Sequence, residues 1–137
     1  MYIDSNIFIF AATDAGKKGK NCRKIIEKID KKEIFCSSSY LVIDEVIWIL
    51  KKKFNKKFAI KLIKEISSLP IKWIDVNKSV VVKMIDIIEK TKLDPRDAVH
   101  LASMKENGIS TILSEDNDFN QISGINKLNS STFFEKI

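Results

Sequence analysis

Tyr2-Ile3-Asp4-Ser5-Asn6-Ile7-Phe8-Ile9-Phe10 sets one carboxylate, with Ser5 and Asn6 beside it, inside an apolar run. Tyr2-Ile3 is predicted to open a short buried strand that ends near Asp4. A carboxylate so close to a core is expensive unless it is paired or hydrogen-bonded. Asp4 therefore needs a duty. One is local: Asp4, Ser5 or Asn6 could each cap a helix starting at Ile7. The other is a polar site at a strand end. The run alone leaves both open.

Beyond this run, strands and helices alternate along the chain. Asn21 to Asp30 carries Cys22, Ile25, Ile26 and Ile29 at helical spacing. Glu33 to Cys36 is predicted to be a short strand. Ser39 to Phe54 reads as a helix capped by Ser38 or Ser39. Lys57 to Leu69 is another, with Phe58, Leu62, Ile66 and Leu69 as its apolar stripe and Pro70 as its stop. Ile71 to Val76 is a strand, and Asn77 caps a helix through about Glu89. Pro95 to Asn107 is a helix closed by Gly108. Thr111 to Ser114 is a strand, Ile125 to Leu128 a last short one, and a turn of helix is expected from Thr132. The alternation predicts a single α/β domain over residues 1–137 with a mostly parallel sheet. Such sheets bind ligands at the carboxyl ends of their strands.

Composition narrows the function classes. A chain of 137 residues that is 45% hydrophobic suits one packed domain. No apolar run approaches the ~18 residues of a membrane span. The amino terminus lacks the basic region of a secretory signal, so a cytoplasmic location is expected. Cys22 and Cys36 make no C-x-x-C pair, and the single histidine, His100, cannot complete a Cys/His zinc set. A disulfide is not expected in the cytosol. No glycine-rich phosphate loop exists, which argues against an NTPase. The net charge of +6 favours polyanionic partners, nucleic acid first among them, although any Lys-rich protein has the same balance.

Three further acids stand out. Glu45 shares a helix face with Leu41, Trp48 and Ile49, so it interrupts an apolar stripe, unless that helix is apolar nearly all round. Asp94 caps a helix with Pro95 at its first position. Asp97 then falls at the third position, where it could close a capping box, and lies in line with Leu101 and Met104. Asp116 follows a strand within Ser114-Glu115-Asp116-Asn117-Asp118-Phe119, a weak signal by itself because acid-rich turns are common. Carboxylates that share one pocket raise each other's pKa. A divalent cation resolves the repulsion. With no His or Cys cluster, the donors are oxygens, which suit Mg²⁺. Such an ion polarises a phosphoryl oxygen and activates a water.

These motifs, in this order, resemble the PIN-domain family, in particular the VapC-type toxins. Asp4-Ser5-Asn6 matches the family's Asp-x-Asn strand-end motif. Glu45, after Ser37-Ser38-Ser39, matches its acid on an early helix. Asp97-Ala98-Val99-His100-Leu101-Ala102 matches its Asp-Ala-x-x-x-Ala helix, and Ser114 to Phe119 its Thr/Ser-x-Asp-x-Asp-Phe element. The resemblance runs from Tyr2 through Phe119. It implies a PIN-like α/β fold, a central mostly parallel sheet flanked by helices. It also implies a Mg²⁺- or Mn²⁺-dependent endoribonuclease acting on RNA phosphodiester bonds, as the toxin of a type II toxin–antitoxin system. Asp4, Glu45, Asp97 and Asp116 would be catalytic, with Asp4 and Asp97 as metal ligands. Asn6, Ser114 and Asp118 would be accessory, orienting carboxylates or water. Ser114 stands where threonine is commoner. Asp94 is an extra acid that would take the third place if it, not Asp97, faced the pocket. A cognate antitoxin and a homodimer are also implied.

Other readings stay open: a PIN nuclease of RNA processing or decay, or a non-catalytic RNA- or partner-binding module. An aspartyl phosphatase is disfavoured, because Asn6 stands where it would want a second acid. His100 is expected to pack or to support the site indirectly. Lys51, Lys52, Lys53, Lys56 and Lys57, continued by Lys61 and Lys64, form either a phosphate-holding face or a solvated one. Lys17, Lys18 and Lys20, beside Gly16 and Gly19, suggest a mobile loop. Trp48 and Trp73 are expected in the core.

Overall fold

The computed structural model describes residues 1–136; Ile137, the end of the expected domain, lies outside them. The elements in chain order are β1 (Tyr2–Ile3), α1 (Ser5–Thr13), α2 (Lys17–Asp30), β2 (Ser37–Ser39), α3 (Tyr40–Lys53), α4 (Lys56–Ser67), β3 (Lys72–Ile74), α5 (Lys78–Lys90), α6 (Pro95–Glu106), β4 (Thr111–Leu113), a 3₁₀ turn (Asn117–Gln121), β5 (Asn126–Leu128) and α7 (Ser130–Glu135). The strands form one five-stranded sheet in the order β3-β2-β1-β4-β5. Every pairing in it is parallel, so the α/β expectation holds.

The strand order decides where a ligand would sit. From β1 the chain builds outward through β2 to β3, then returns to place β4 on the other side of β1. The two connections diverge there and leave a crevice at the carboxyl ends of β1 and β4. Asp4 directly follows β1, and its N–H donates to Leu113 O at 3.1 Å. Ser114 directly follows β4.

Side chains alternate across each strand and so feed two cores. Ile3, Leu113 and Leu128 join residues of α1, α2, α3 and α4 on one face. Tyr2, Ile112 and Ile74 join residues of α5 and α6 on the other. Cys22 and Cys36 are free and buried. Among the described residues no helix is long and apolar enough to cross a membrane.

Several local expectations are corrected. The second strand is Ser37–Ser39, not Glu33–Cys36. Phe35, within the expected strand, is 79% exposed. The serines can occupy a central strand because their hydroxyls find partners: Ser38 Oγ donates to Ile3 O at 2.8 Å. The first helix begins at Ser5 rather than Ile7, because Asp4 caps it. The segment with Lys17, Lys18 and Lys20 is the first turn of α2, not a mobile loop. Gly19 lets it pack there: its N–H donates to Asp14 Oδ2 at 2.6 Å, and an added Cβ would fall 1.9 Å from Asp14 O. The last helix starts at Ser130, ahead of Thr132, because Asn129 and Thr132 form a capping box. Trp48 is not a core residue; it is 52% exposed. Trp73 is half-buried against the core and stacks on Tyr40, with ring centroids 5.8 Å apart.

Candidate metal centre

Asp4 holds both duties that its sequence context allowed. Its Oδ1 accepts from Ser5 N–H at 2.7 Å and so caps α1. Its Oδ2 accepts from Ser114 Oγ at 2.7 Å and from Asn6 Nδ2 at 3.2 Å. The side chain is buried. Ser114 Oγ also accepts from Asp116 N–H at 3.0 Å, and Asn6 Oδ1 accepts from Glu115 N–H at 3.1 Å. Asn6 and Ser114 thereby stitch the loop after β4 to the start of α1. They fix the Asp4 carboxylate and, through Ser114, the backbone of Asp116.

Glu45 comes from α3 and His100 from α6. His100 Nε2 lies 2.6 Å from Glu45 Oε1 and 3.6 Å from Asp4 Oδ1. Its other nitrogen, Nδ1, lies 2.6 Å from Tyr2 Oη, which also contacts Ser39 Oγ at 2.9 Å. An ionised carboxylate only accepts, so Nε2 carries the proton shared with Glu45. In neutral His100 the phenol donates to Nδ1. In the charged form Nδ1–H donates to the phenol, which then donates to Ser39. Either way Glu45 is held. Along the chain His100 was expected to act only indirectly, and neither Tyr2 nor Ser39 was expected at the site. A polar tip on a central strand, at Tyr2, was the available signal.

Asp4, Glu45 and His100 each offer a ligand atom within 4.8 Å of the other two, and Asp97, Asp116 and Asp118 form a second such group. The two groups act on each other. Burial first, then the charges of Asp116 and Asp4, push the Asp97 carboxyl up to about 7; Glu45 adds to this and His100 opposes it. For His100, burial lowers the pKa, but the bond to Glu45 and the charges of Asp4 and Glu45 outweigh it, and the net direction is up. Asp94 is exposed and makes no capping bond with its side chain. It borders the same cleft as Glu45, Arg96 and Asp97, but Asp97 is the acid that meets Asp116 and Asp118. Asp116 also accepts from Asp118 N–H at 2.8 Å, which positions the exposed Asp118.

The donor set is carboxylate-rich, with one imidazole already engaged through both nitrogens. Such oxygen donors fit a hard divalent cation better than a soft one. A cation there would also relieve the repulsion that raises Asp97.

The PIN domain family profile matches residues 1–125. Ribonuclease VapC2 of Methanocaldococcus jannaschii is 29% identical over 136 residues, which cover 89% of this chain and 88% of that protein. VapBC2 of Rickettsia felis, solved bound to a promoter DNA fragment, superposes with a TM-score of 0.73 at 14% identity, over 93% of this chain and 96% of that one. VapC20 of Mycobacterium tuberculosis, described as a toxin cleaving the sarcin-ricin loop, gives 0.72 at 14% identity, over 87% and 92%. At these identities the solved structures speak for the fold: the same five-stranded parallel sheet between helices.

Proposed function

The chain belongs to the PIN domain family, and from that premise we propose that it is a metal-dependent endoribonuclease of the VapC type. It hydrolyses RNA phosphodiester bonds with Mg²⁺ or Mn²⁺ and acts in the cytoplasm as the toxin of a type II toxin–antitoxin pair. The observation that carries the reading is the clustering of carboxylates from distant positions, Asp4 and Glu45 around His100 and Asp97 with Asp116 and Asp118, whose mutual repulsion helps push the Asp97 carboxyl up to about 7. A binding-only surface gains nothing from such repulsion.

Asp4 and Asp97 would hold the ion, with Glu45 and Asp116 completing the acidic site around it. A bound ion supplies Lewis acidity towards a phosphoryl oxygen. The chain's residues do the positioning. Ser114 and Asn6 fix Oδ2 of Asp4, His100 fixes Glu45, and Asp118 lies at the exposed rim. The name of the Methanocaldococcus jannaschii relative supports a ribonuclease. The VapBC complexes among the structural neighbours support an antitoxin as partner, and a homodimer is the assembly proposed with it.

The test is cleavage of RNA by the purified protein with Mg²⁺ or Mn²⁺. Cleavage is expected to vanish in EDTA and in Asp4→Asn. Cleavage that survives both overturns the reading.

A further inference from the structure

Trp48 lies three residues after Glu45 on α3, on the same helix face, roughly one turn along the axis. Glu45 joins Asp4 and His100 in the acidic cluster, whereas the Trp48 indole is 52% exposed. Packing does not account for it, since it belongs to neither core. Two cations flank it. Lys52 Nζ is 5.0 Å from the ring centroid, and the Arg96 guanidinium carbon is 6.0 Å from it. Arg96 immediately precedes Asp97, and both line the open cleft that Glu45 also lines. Arg96 thus links the aromatic face, which Lys52 also approaches, to the cleft lined by Glu45 and Asp97.

That combination suits a nucleotide. The acidic cluster by itself repels a polyanion, so an approaching strand needs local positive charge and a sequence-independent grip. Lys52 and Arg96 supply the first. An exposed indole supplies the second, because every base has a π face that stacks on an aromatic ring. A base inside a duplex has both faces covered, so only an unpaired one reaches the indole. We propose that Trp48 is a stacking platform for an unpaired nucleobase of a single-stranded RNA substrate, with Lys52 and Arg96 holding the adjoining phosphates. This assignment rests on the endoribonuclease reading of the same site and adds to it the residues that grip the base and phosphates beside the cleft.

The test uses Trp73→Phe, which leaves Trp48 as the sole tryptophan, combined with Asp97→Asn to prevent turnover. This protein is titrated in Mg²⁺ with a short single-stranded oligoribonucleotide and with the same sequence paired in a duplex. The single strand is expected to quench Trp48, and the duplex is not. Replacing Trp48 by Ala weakens single-strand binding about tenfold, Trp48→Phe restores most of it, and Phe35→Ala, which removes another exposed aromatic, changes nothing. Circular dichroism melts check that each variant folds. Single-strand binding that is equally tight without Trp48, or not measurable at all, overturns the proposal. So does a Trp48 signal that follows protein concentration rather than RNA, which assigns the indole to an interface with a second copy. The two readings separate in a parallel cleavage assay of the otherwise native chain. Cleavage with Trp48-independent binding sinks only the platform. Trp48-dependent binding with no metal-dependent cleavage sinks only the nuclease.

Discussion

The phenol of Tyr2 lies 2.6 Å from Nδ1 of His100, a bond across 98 positions of sequence. It joins the central strand to α6 beneath the acidic cluster and passes through the imidazole to Glu45. The outer groups in this chain determine how the inner carboxylate points.

His100→Ala removes the donor that holds Glu45, and a partner of this kind typically contributes 10- to 100-fold to metal affinity or activity. A loss of that size in RNA cleavage is expected, with partial recovery in His100→Gln, which keeps an N–H near Glu45. Tyr2→Phe is expected to cost about 1 kcal/mol of stability and less activity. Wild-type cleavage and Mg²⁺ affinity in a folded His100→Ala protein would remove the positioning role.

Ser114→Ala leaves Asp4 Oδ2 with one donor, Asn6, and frees the backbone of Asp116. Calorimetric titration with Mn²⁺ is expected to show binding weakened by about 10- to 100-fold, and Ser114→Thr, which keeps the hydroxyl, to restore it. By contrast, Asp118→Asn acts on an exposed rim residue and is expected to lower cleavage much less than Asp4→Asn. Equal losses in those two variants would contradict the arrangement.

Stability without metal should depend on pH with a definite sign. Asp97 has an ordinary value of 3.8 and titrates at about 7 when folded, so between these values the folded protein holds a proton that the unfolded chain has lost. The resulting stabilisation disappears as pH rises towards 7. His100 is raised above its ordinary 6.5, so its contribution is complete below that value and is lost as pH climbs through the higher folded one. Both slopes run the same way. In EDTA, Tm is expected to fall as pH rises from about 6 to about 8. Mg²⁺ should raise Tm most at the upper end, where Asp97 is ionised. A metal-free Tm that climbs across this window would be the contrary result.

Gly19→Ala tests the packing of α2 on the end of α1. The added Cβ would meet Asp14 O at 1.9 Å, a backbone atom that cannot swing aside. The expected cost in denaturant unfolding is about 1–3 kcal/mol. An unchanged midpoint would mean that the contact relaxes freely.

Much of this was legible along the chain. The alternation of short strands and helices, the Asp94-Pro95 helix start and the stripe around Ile66 are patterns of residues within a few positions of each other, and they gave the parallel α/β fold. Asp4, Glu45 and Asp97 were visible as acids where apolar neighbours dominate. The failures share a cause. Phe35 has strand propensity but lies outside the sheet, while Ser38 and Ser39 enter it with their hydroxyls satisfied by Ile3 O and Tyr2 Oη. The glycines at 16 and 19 read as a loop, although Gly19 permits a close approach within a helix.

What the sequence determined by itself was therefore the set of elements and the carboxylates that did not belong to a plain core, because periodicity, caps and misplaced charges are local signals. Tertiary structure alone decided that Asp97 rather than Asp94 joins Asp116, that Tyr2 and His100 hold Glu45, and that Trp48 stays in solvent. Those outcomes depend on which faces the other elements cover and on atoms brought together from positions up to 110 residues apart. No window along the chain contains that information.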